Sequence, residues 1–260
     1  MLATIISSFF SCPELVDGPA VVLFGGPYAV LDGTRLEVPE GSKRLLVFTA
    51  LNPRRVDRRH VAGCLWPAGS DQRAGGNLRS ALWRLKCAGI DLIESDNCSL
   101  KLRPGTVVDV HVVAGWAARL IDGSAPQSDL RSVYWPADAA ELLPGWYDDW
   151  IIFERERIRQ RLLHALEALS RSLTKAGRCA EAVDAAISAV GIDPLRESAS
   201  RVLIEAHLAE GNWVEARRTY ERYRDTVRCE LGVEPSEQLT DLVRAMYATP
   251  RPRSLEPASR

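Results

Sequence analysis

The chain has 260 residues, room for two domains of ordinary size, and is 46% hydrophobic and 26% charged, as suits a soluble globular protein. Its net charge of −1 gives the chain as a whole no pull on a polyanion. The charge is unevenly placed, however. Residues 41–103 hold twelve basic and five acidic groups, about +7 against about −8 elsewhere, the footprint of a nucleic-acid module or of a solvated charged face.

The first ten residues, MLATIISSFF, are apolar, lack the basic segment of a signal peptide and are too short to cross a bilayer. Residues 1–19 are therefore expected to be a disordered leader or the product of a misassigned start codon. Three short strands follow, AVVLF, YAVL and RLEV, with Asp32-Gly33 as a hairpin turn. A helix is predicted from Lys43 to Leu51, stopped by Asn52-Pro53. Asp57 caps a second, with Val61, Ala62 and Leu65 inward and Trp66-Pro67 closing it. A third is predicted from Gln72 to Cys87, ended by Ala88-Gly89. LIES and CSLKL then flank Asp96-Asn97, read as a two-residue hairpin turn. Strands, three helices and a closing hairpin give the order of a winged helix.

After Pro104-Gly105 helical periodicity dominates. Ile158, Leu162, Ala165, Leu169 and Leu173 form one stripe of a long amphipathic helix. Gly177-x-x-x-Glu181-Ala182 recurs as Gly211-x-x-x-Glu215-Ala216, and Ala165 and Leu169 map onto Ala199 and Leu203 at the same spacing. The offset of about 34 residues is the tetratricopeptide period, a helix pair that stacks on its neighbours. The tail from Thr249 is proline-rich and expected to be disordered. The predicted fold class is mainly α with a small β part: a winged helix-turn-helix over 20–108, a tetratricopeptide-like all-α domain over 109–248, and a tail over 249–260.

The third helix carries the candidate chemistry. At 100° per residue, Leu78, Ala81, Leu82 and Leu85 face the core. Arg73, Gly76, Ser80, Trp83, Arg84 and Cys87 face away, with Arg79 and Lys86 on the flanks. A helix in the major groove needs arginines to reach guanine edges or phosphates, and small residues where backbones approach. Gly75-Gly76 costs about 1 kcal/mol of helix propensity each relative to alanine; either close approach to DNA or a helix beginning near Asn77 accounts for it. Trp83 fits packing against the wing or another protomer as well as a contact with the sugar-phosphate backbone. On the second helix Arg58 and Arg59 add basic charge. Lys101 and Arg103 alternate with Leu100 and Leu102, which points them outward on the wing, towards the minor groove or a phosphate.

The segments NLRSALWRL (77–85), ELLPGWYDDWIIFERERIRQRLLHALEAL (141–169), DPLRESASRVLIEAHLAEGNWVEA (193–216) and ELGVEPS (230–236) make the chain resemble the small SARP-type activators, regulators of bacterial biosynthetic pathways. Those join an OmpR-like winged helix to a bacterial transcriptional activator domain, and the resemblance spans about 20–247. It implies that the third helix enters the major groove, with Asn77, Arg79, Ser80, Trp83, Arg84 and Lys86 facing DNA. It also implies double-stranded promoter DNA and RNA polymerase as partners, with a homodimer on direct repeats as a further arrangement. The sequence contains no Gly-x-x-x-x-Gly-Lys-Ser/Thr loop.

An enzyme is the first rival reading. His60, His111, His164 and His207 lack the neighbours of a triad, and neither Gly-x-Ser-x-Gly nor His-Glu-x-x-His occurs. The pairs Asp148/Asp149 and Glu154/Glu156 are expected to hold arginines or cap the long helix. The six cysteines show no zinc spacing and fit a reducing cytosol. No catalytic residue, cofactor, metal or membrane association is expected, and the location is cytoplasmic. The second rival is a tetratricopeptide-like adaptor with weak or no DNA binding.

Overall fold

A computed structural model describes residues 18–131 and 141–248, with the side chains of the last three left out. The expected leader, apart from Gly18 and Pro19, and the tail from Thr249 lie outside the described residues. The chain divides into two compact units, one running to Arg131 and resuming as far as Ala165, the other from Leu166 onward.

In the first unit, strands β1 (Ala20–Val22), β2 (Tyr28–Leu31) and β3 (Thr34–Glu37) form an antiparallel meander, and β7 (Val107–Val108) joins β1 in parallel, giving the order β3-β2-β1-β7. The Asp32-Gly33 turn has both residues left-handed, with φ of 49° and 71°, which matches the twist of the strands and suits glycine. β1 is shorter than the apolar run AVVLF because the Leu23 and Phe24 amides donate to the carboxylate of Asp109, at 2.8 and 2.9 Å, instead of continuing the ladder. Both residues stay fully buried.

Three helices follow. Helix α1 (Glu40–Leu51) begins before the predicted Lys43, because Pro39, fixed at φ −54°, leads straight into the first turn. It ends where both the Asn52 amide and its side chain donate to the Phe48 carbonyl. Most of its length is buried, Leu45, Leu46 and Val47 completely. Strand β4 (Val56–Asp57) leads into α2 (Arg58–Leu65), whose N-cap is Asp57, accepting from the Arg59 and His60 amides. Helix α3 (Asp71–Cys87) is capped by Ser70 and closes on Gly89 at φ 76°.

The wing comprises β5 (Ile93–Ser95) and β6 (Ser99–Leu102), with β4 on the far side of β6. Its register differs from the prediction. Ser95 pairs with Leu100 and the Asp96 amide donates to the Ser99 carbonyl, so the tight turn is Asn97-Cys98. The Asp96 carboxylate accepts from the Cys98 and Ser99 amides, which holds Asp96 at the strand end rather than inside the turn.

Helix α4 (Asp109–Asp122) starts at the buried Asp109. The segment leading to α5 (Asp149–Lys175) docks on the first sheet. The Leu143 amide donates to the Leu23 carbonyl, and Arg155 donates to the carbonyls of Leu142, Leu143 and Trp146. Asp148 pairs with Arg44, Glu154 with Arg157 and Glu156 with Arg159, so these carboxylates hold arginines.

The second unit holds the C-terminal part of α5, then α6 (Cys179–Ile192), α7 (Glu197–Ala209), α8 (Trp213–Leu231) and α9 (Glu237–Ala248). The repeat is visible in the hydrogen bonds. Gly177 and Gly211 are both left-handed, at φ 73° and 81°. The Gly177 amide donates to Thr174 and the Arg178 amide to Leu173; the Gly211 amide donates to Leu208 and the Asn212 amide to His207. The five residues of the amphipathic stripe on α5 are all buried, as are Ala182 and Ala216. Glu167, also buried, accepts from Arg196 and from the Ser198 hydroxyl at 2.6 Å each. Sequence reasoning did not single out α9. It packs Leu239 and Val243 against Tyr223 and Val227 of α8, and its cap Ser236 donates to the Glu197 carboxylate.

Candidate nucleic-acid interface

Helix α3 buries Ala74, Leu78, Ala81 and Leu85. Leu82, predicted to face the core, is only half-buried, because it borders an open groove between the helix and the wing. Ala74, one turn before Leu78, extends the buried stripe at the other end. The other side presents Arg73, Arg79, Ser80, Trp83, Arg84 and Lys86 as exposed residues, and Asn77 is half-buried. Among the described residues, no carboxylate pairs with the side chains of Arg73, Arg79, Arg84 or Lys86. The only acidic residue on the helix is Asp71 in its first turn.

The helix begins at Asp71, so Gly75 and Gly76 lie inside it. Cβ atoms added there would meet nothing nearer than the Arg79 guanidinium at 3.8 Å, an ordinary contact. Nothing within the protein requires glycine at these two positions. At Gly41 the situation is reversed. An added Cβ would lie 2.6 Å from the Arg84 guanidinium, which therefore rests over the first turn of α1.

Trp83 is 67% exposed and stands at the edge of a groove of about 320 Å³. Leu82 and Lys86 line it from the helix, Glu94, Ser95 and Arg103 from the wing side. The wing cations are engaged. Lys101 pairs with Glu94 at 3.0 Å, and Arg103 holds the carboxylate and carbonyl of Asp91 at 2.8 and 2.7 Å. Arg103 lies just past β6, which ends at Leu102. Arg58 donates from α2 to the Ser95 hydroxyl and the Asp96 carbonyl, tying the second helix to the wing tip. Arg59 is exposed beside it. Sequence reasoning missed Arg55, which meets Asp96 and the Ser99 hydroxyl; its place just before the two-residue strand β4 gave no periodic signal.

Two carboxyls respond to these surroundings. The Cys98 and Ser99 amides, then the Ser99 hydroxyl, hold Asp96 down at about 2, and Lys101 beside Glu94 lowers that group as well. Among the described residues, no three or more His, Cys, Asp or Glu side chains cluster to hold a metal, and no helix is long and apolar enough to cross a membrane.

Residues 133–246 match the family model of the bacterial transcriptional activator domain. That part of the chain is similar to this family. The match upholds the resemblance to the SARP-type activators. A solved structure of EmbR from Mycobacterium tuberculosis, in complex with a low affinity phosphopeptide, is similar in fold, with a TM-score of 0.64 at 18% identity. The likeness covers 89% of this chain, which spans 66% of that one. None of the curated proteins matches the chain. The fold is mainly α with small sheets, and the match to the bacterial transcriptional activator domain lies in its helical C-terminal part.

Proposed function

We propose that this chain is a transcriptional activator of the SARP kind that grips promoter DNA through residues 20–108 and uses residues 109–248 as its activator domain. The observation that carries the reading is the outer face of α3. Four cations there, Arg73, Arg79, Arg84 and Lys86, have no carboxylate partner among the described residues, while the arginines of α8 are largely paired along its surface. Unpaired cations beside Ser80 and Asn77 are what reading a major groove demands, since each Arg must be free to reach a base edge or a phosphate. Gly75 and Gly76 fit the same role, giving the DNA backbone room at the start of the helix. The family match points to regulation rather than to an enzyme, and a chain working at promoters does so in the cytoplasm.

Within this reading Arg79, Ser80 and Asn77 face base edges, with Arg73, Arg84 and Lys86 on flanking phosphates. Arg58, Arg59, Lys101 and Arg103 border the same face at the wing. Trp83 lies against the sugar-phosphate backbone at the mouth of the groove. RNA polymerase is the protein partner, met through the exposed loop Pro67–Ser70 next to α3 and through the helical domain, with protomers side by side on direct repeats.

The test is genomic footprinting of the bound chain to obtain its operator, followed by gel-shift titration. Arg79→Ala is expected to weaken operator binding by about 1–3 kcal/mol and to relax discrimination at one base pair. A chain that protects no DNA and retards none would be left as an interaction adaptor.

A further inference from the structure

The two faces that flank the groove differ in charge economy. On α3 four cations have no carboxylate partner among the described residues. On the wing three cations stand against three carboxylates. Arg55 meets Asp96, with Glu94 at 3.8 Å; Lys101 meets Glu94 at 3.0 Å; Arg103 meets Asp91 at 2.8 Å. All six side chains are substantially exposed, between 30% and 55%. Ion pairs so exposed add little to stability, so folding alone gives small reason for three of them around one hairpin. Their effect on a polyanion is larger. Sequence-independent affinity for a duplex grows with the number of phosphates a protein neutralises, and a cation already holding a carboxylate must give it up to release a DNA counterion.

We propose that Glu94 and Asp96 are internal phosphate substitutes that neutralise the wing, confine the effective cationic surface to α3 and the start of α2, and so suppress sequence-independent DNA binding. This inference rests on the DNA-binding reading of α3 and concerns how selective that site is. The geometry makes the pairing persistent. Asp96 is fixed by the Cys98 and Ser99 amides at 2.8 and 2.7 Å, and Glu94 lies directly across the ladder from Lys101. Neither carboxylate has to be recruited from a mobile side chain elsewhere. With the wing neutral, a duplex that offers α3 the wrong base edges gains little from the protein, and the difference between right and wrong sequences is widened.

The experiment uses the full chain and a short mixed-sequence duplex, titrated over a range of salt. Glu94→Gln with Asp96→Asn should bind that duplex more tightly than the parent at low salt. The slope of log K against log salt should steepen by up to about 1.8, about 0.9 for each of two freed cations. Asn at position 96 keeps an acceptor for the turn amides, and thermal melting checks the fold. If the double variant does not fold, Glu94→Gln alone, which touches no turn amide, should steepen the slope by about 0.9. In the parent, Arg55→Gln should leave the slope nearly unchanged, because that charge is already balanced. A parent that binds the duplex and charge-removed variants with the parent's slope overturn this inference and leave the DNA-binding reading standing. A parent and variants that all fail to bind any duplex overturn both.

Discussion

Asp109 shows how one side chain joins parts of the chain that lie far apart. Its carboxylate, fully buried, accepts from the amides of Leu23, Phe24 and Val110 at 2.8, 2.9 and 2.7 Å, pinning the start of α4 to the end of β1. Burial pushes its pKa from the ordinary 3.8 up to about 6, against the pull of those N–H groups. The sign of the consequence follows. Between these two values the folded chain holds a proton that the unfolded chain has released. This group's contribution to stability is therefore full below about pH 4 and falls as pH rises through about 6, by about 3 kcal/mol in all. Asp109→Asn removes the titration while keeping one acceptor. Its unfolding free energy, relative to the parent's, should improve by about 3 kcal/mol between about pH 4 and about pH 7. Denaturant melts across that range decide the matter, and a difference that stays constant with pH would show that Asp109 is ionised throughout. Nothing in the sequence marked Asp109. Its partners lie about 85 residues away, and an aspartate before an apolar helix looks like any other cap.

At the level of the helix and the hairpin, local signals were legible and long-range ones were not. Asp32-Gly33, the Asp57 cap, the Gly89 stop and the stripe on α5 each rest on contacts within a few residues. Spacing alone therefore located the first three helices and the wing. The wing register slipped because Asp96-Asn97 carries the stronger local turn signal; what moved the turn to Asn97-Cys98 was the Asp96 carboxylate capturing two amides. The outer face of α3 was readable from its periodicity, but its pairing with neighbours was not, so Lys101 and Arg103 looked as free as Arg79. The glycines of α3 give a prediction of their own. With no internal contact requiring them, Gly75→Ala with Gly76→Ala should raise thermal stability, by about 0.5–1 kcal/mol per site. If DNA comes close there, operator affinity should fall in the same variant. A gain in stability with unchanged affinity would place the DNA elsewhere along the helix. In the second unit Ala182 and Ala216 are the fully buried small residues of the two matched turns. Ala182→Leu should overpack its helix pair and cost about 1–3 kcal/mol in a thermal or urea melt, with DNA binding largely kept. A variant as stable as the parent would mean that the repeat does not pack through this position.

For the whole molecule the question is what DNA binding accomplishes. A protein that merely occupies a site beside a promoter leaves polymerase where it was. Activation needs a favourable contact present only when protein, polymerase and DNA are together, a coupling free energy between two binding events. A small coupling is enough, since about 1.4 kcal/mol changes occupancy tenfold. On the proposed reading the first unit supplies DNA contacts from α3, and the exposed turn Pro67–Ser70 beside it is open to a protein approaching from the side. The match to the bacterial transcriptional activator domain, over residues 133–246, takes in most of the second unit and the last stretch of the first. The prediction separates occupancy from coupling. In transcription reconstituted with purified polymerase and an operator-bearing template, the full chain should raise transcript from the adjacent promoter as the operator saturates. Ala68→Gln enlarges the exposed turn without touching the core and adds no charge beside Arg73, whose side chain lies over Gly69. It should leave operator affinity within a few tenths of a kcal/mol, yet lower the transcript at saturation if that turn carries the contact. Loss of transcript with loss of binding would mean only that the turn supports α3. Undiminished transcript from a saturated operator would move the polymerase contact to the helical domain. A parent chain that saturates its operator and leaves transcript unchanged or reduced would remove activation altogether and make the protein a repressor or an architectural factor.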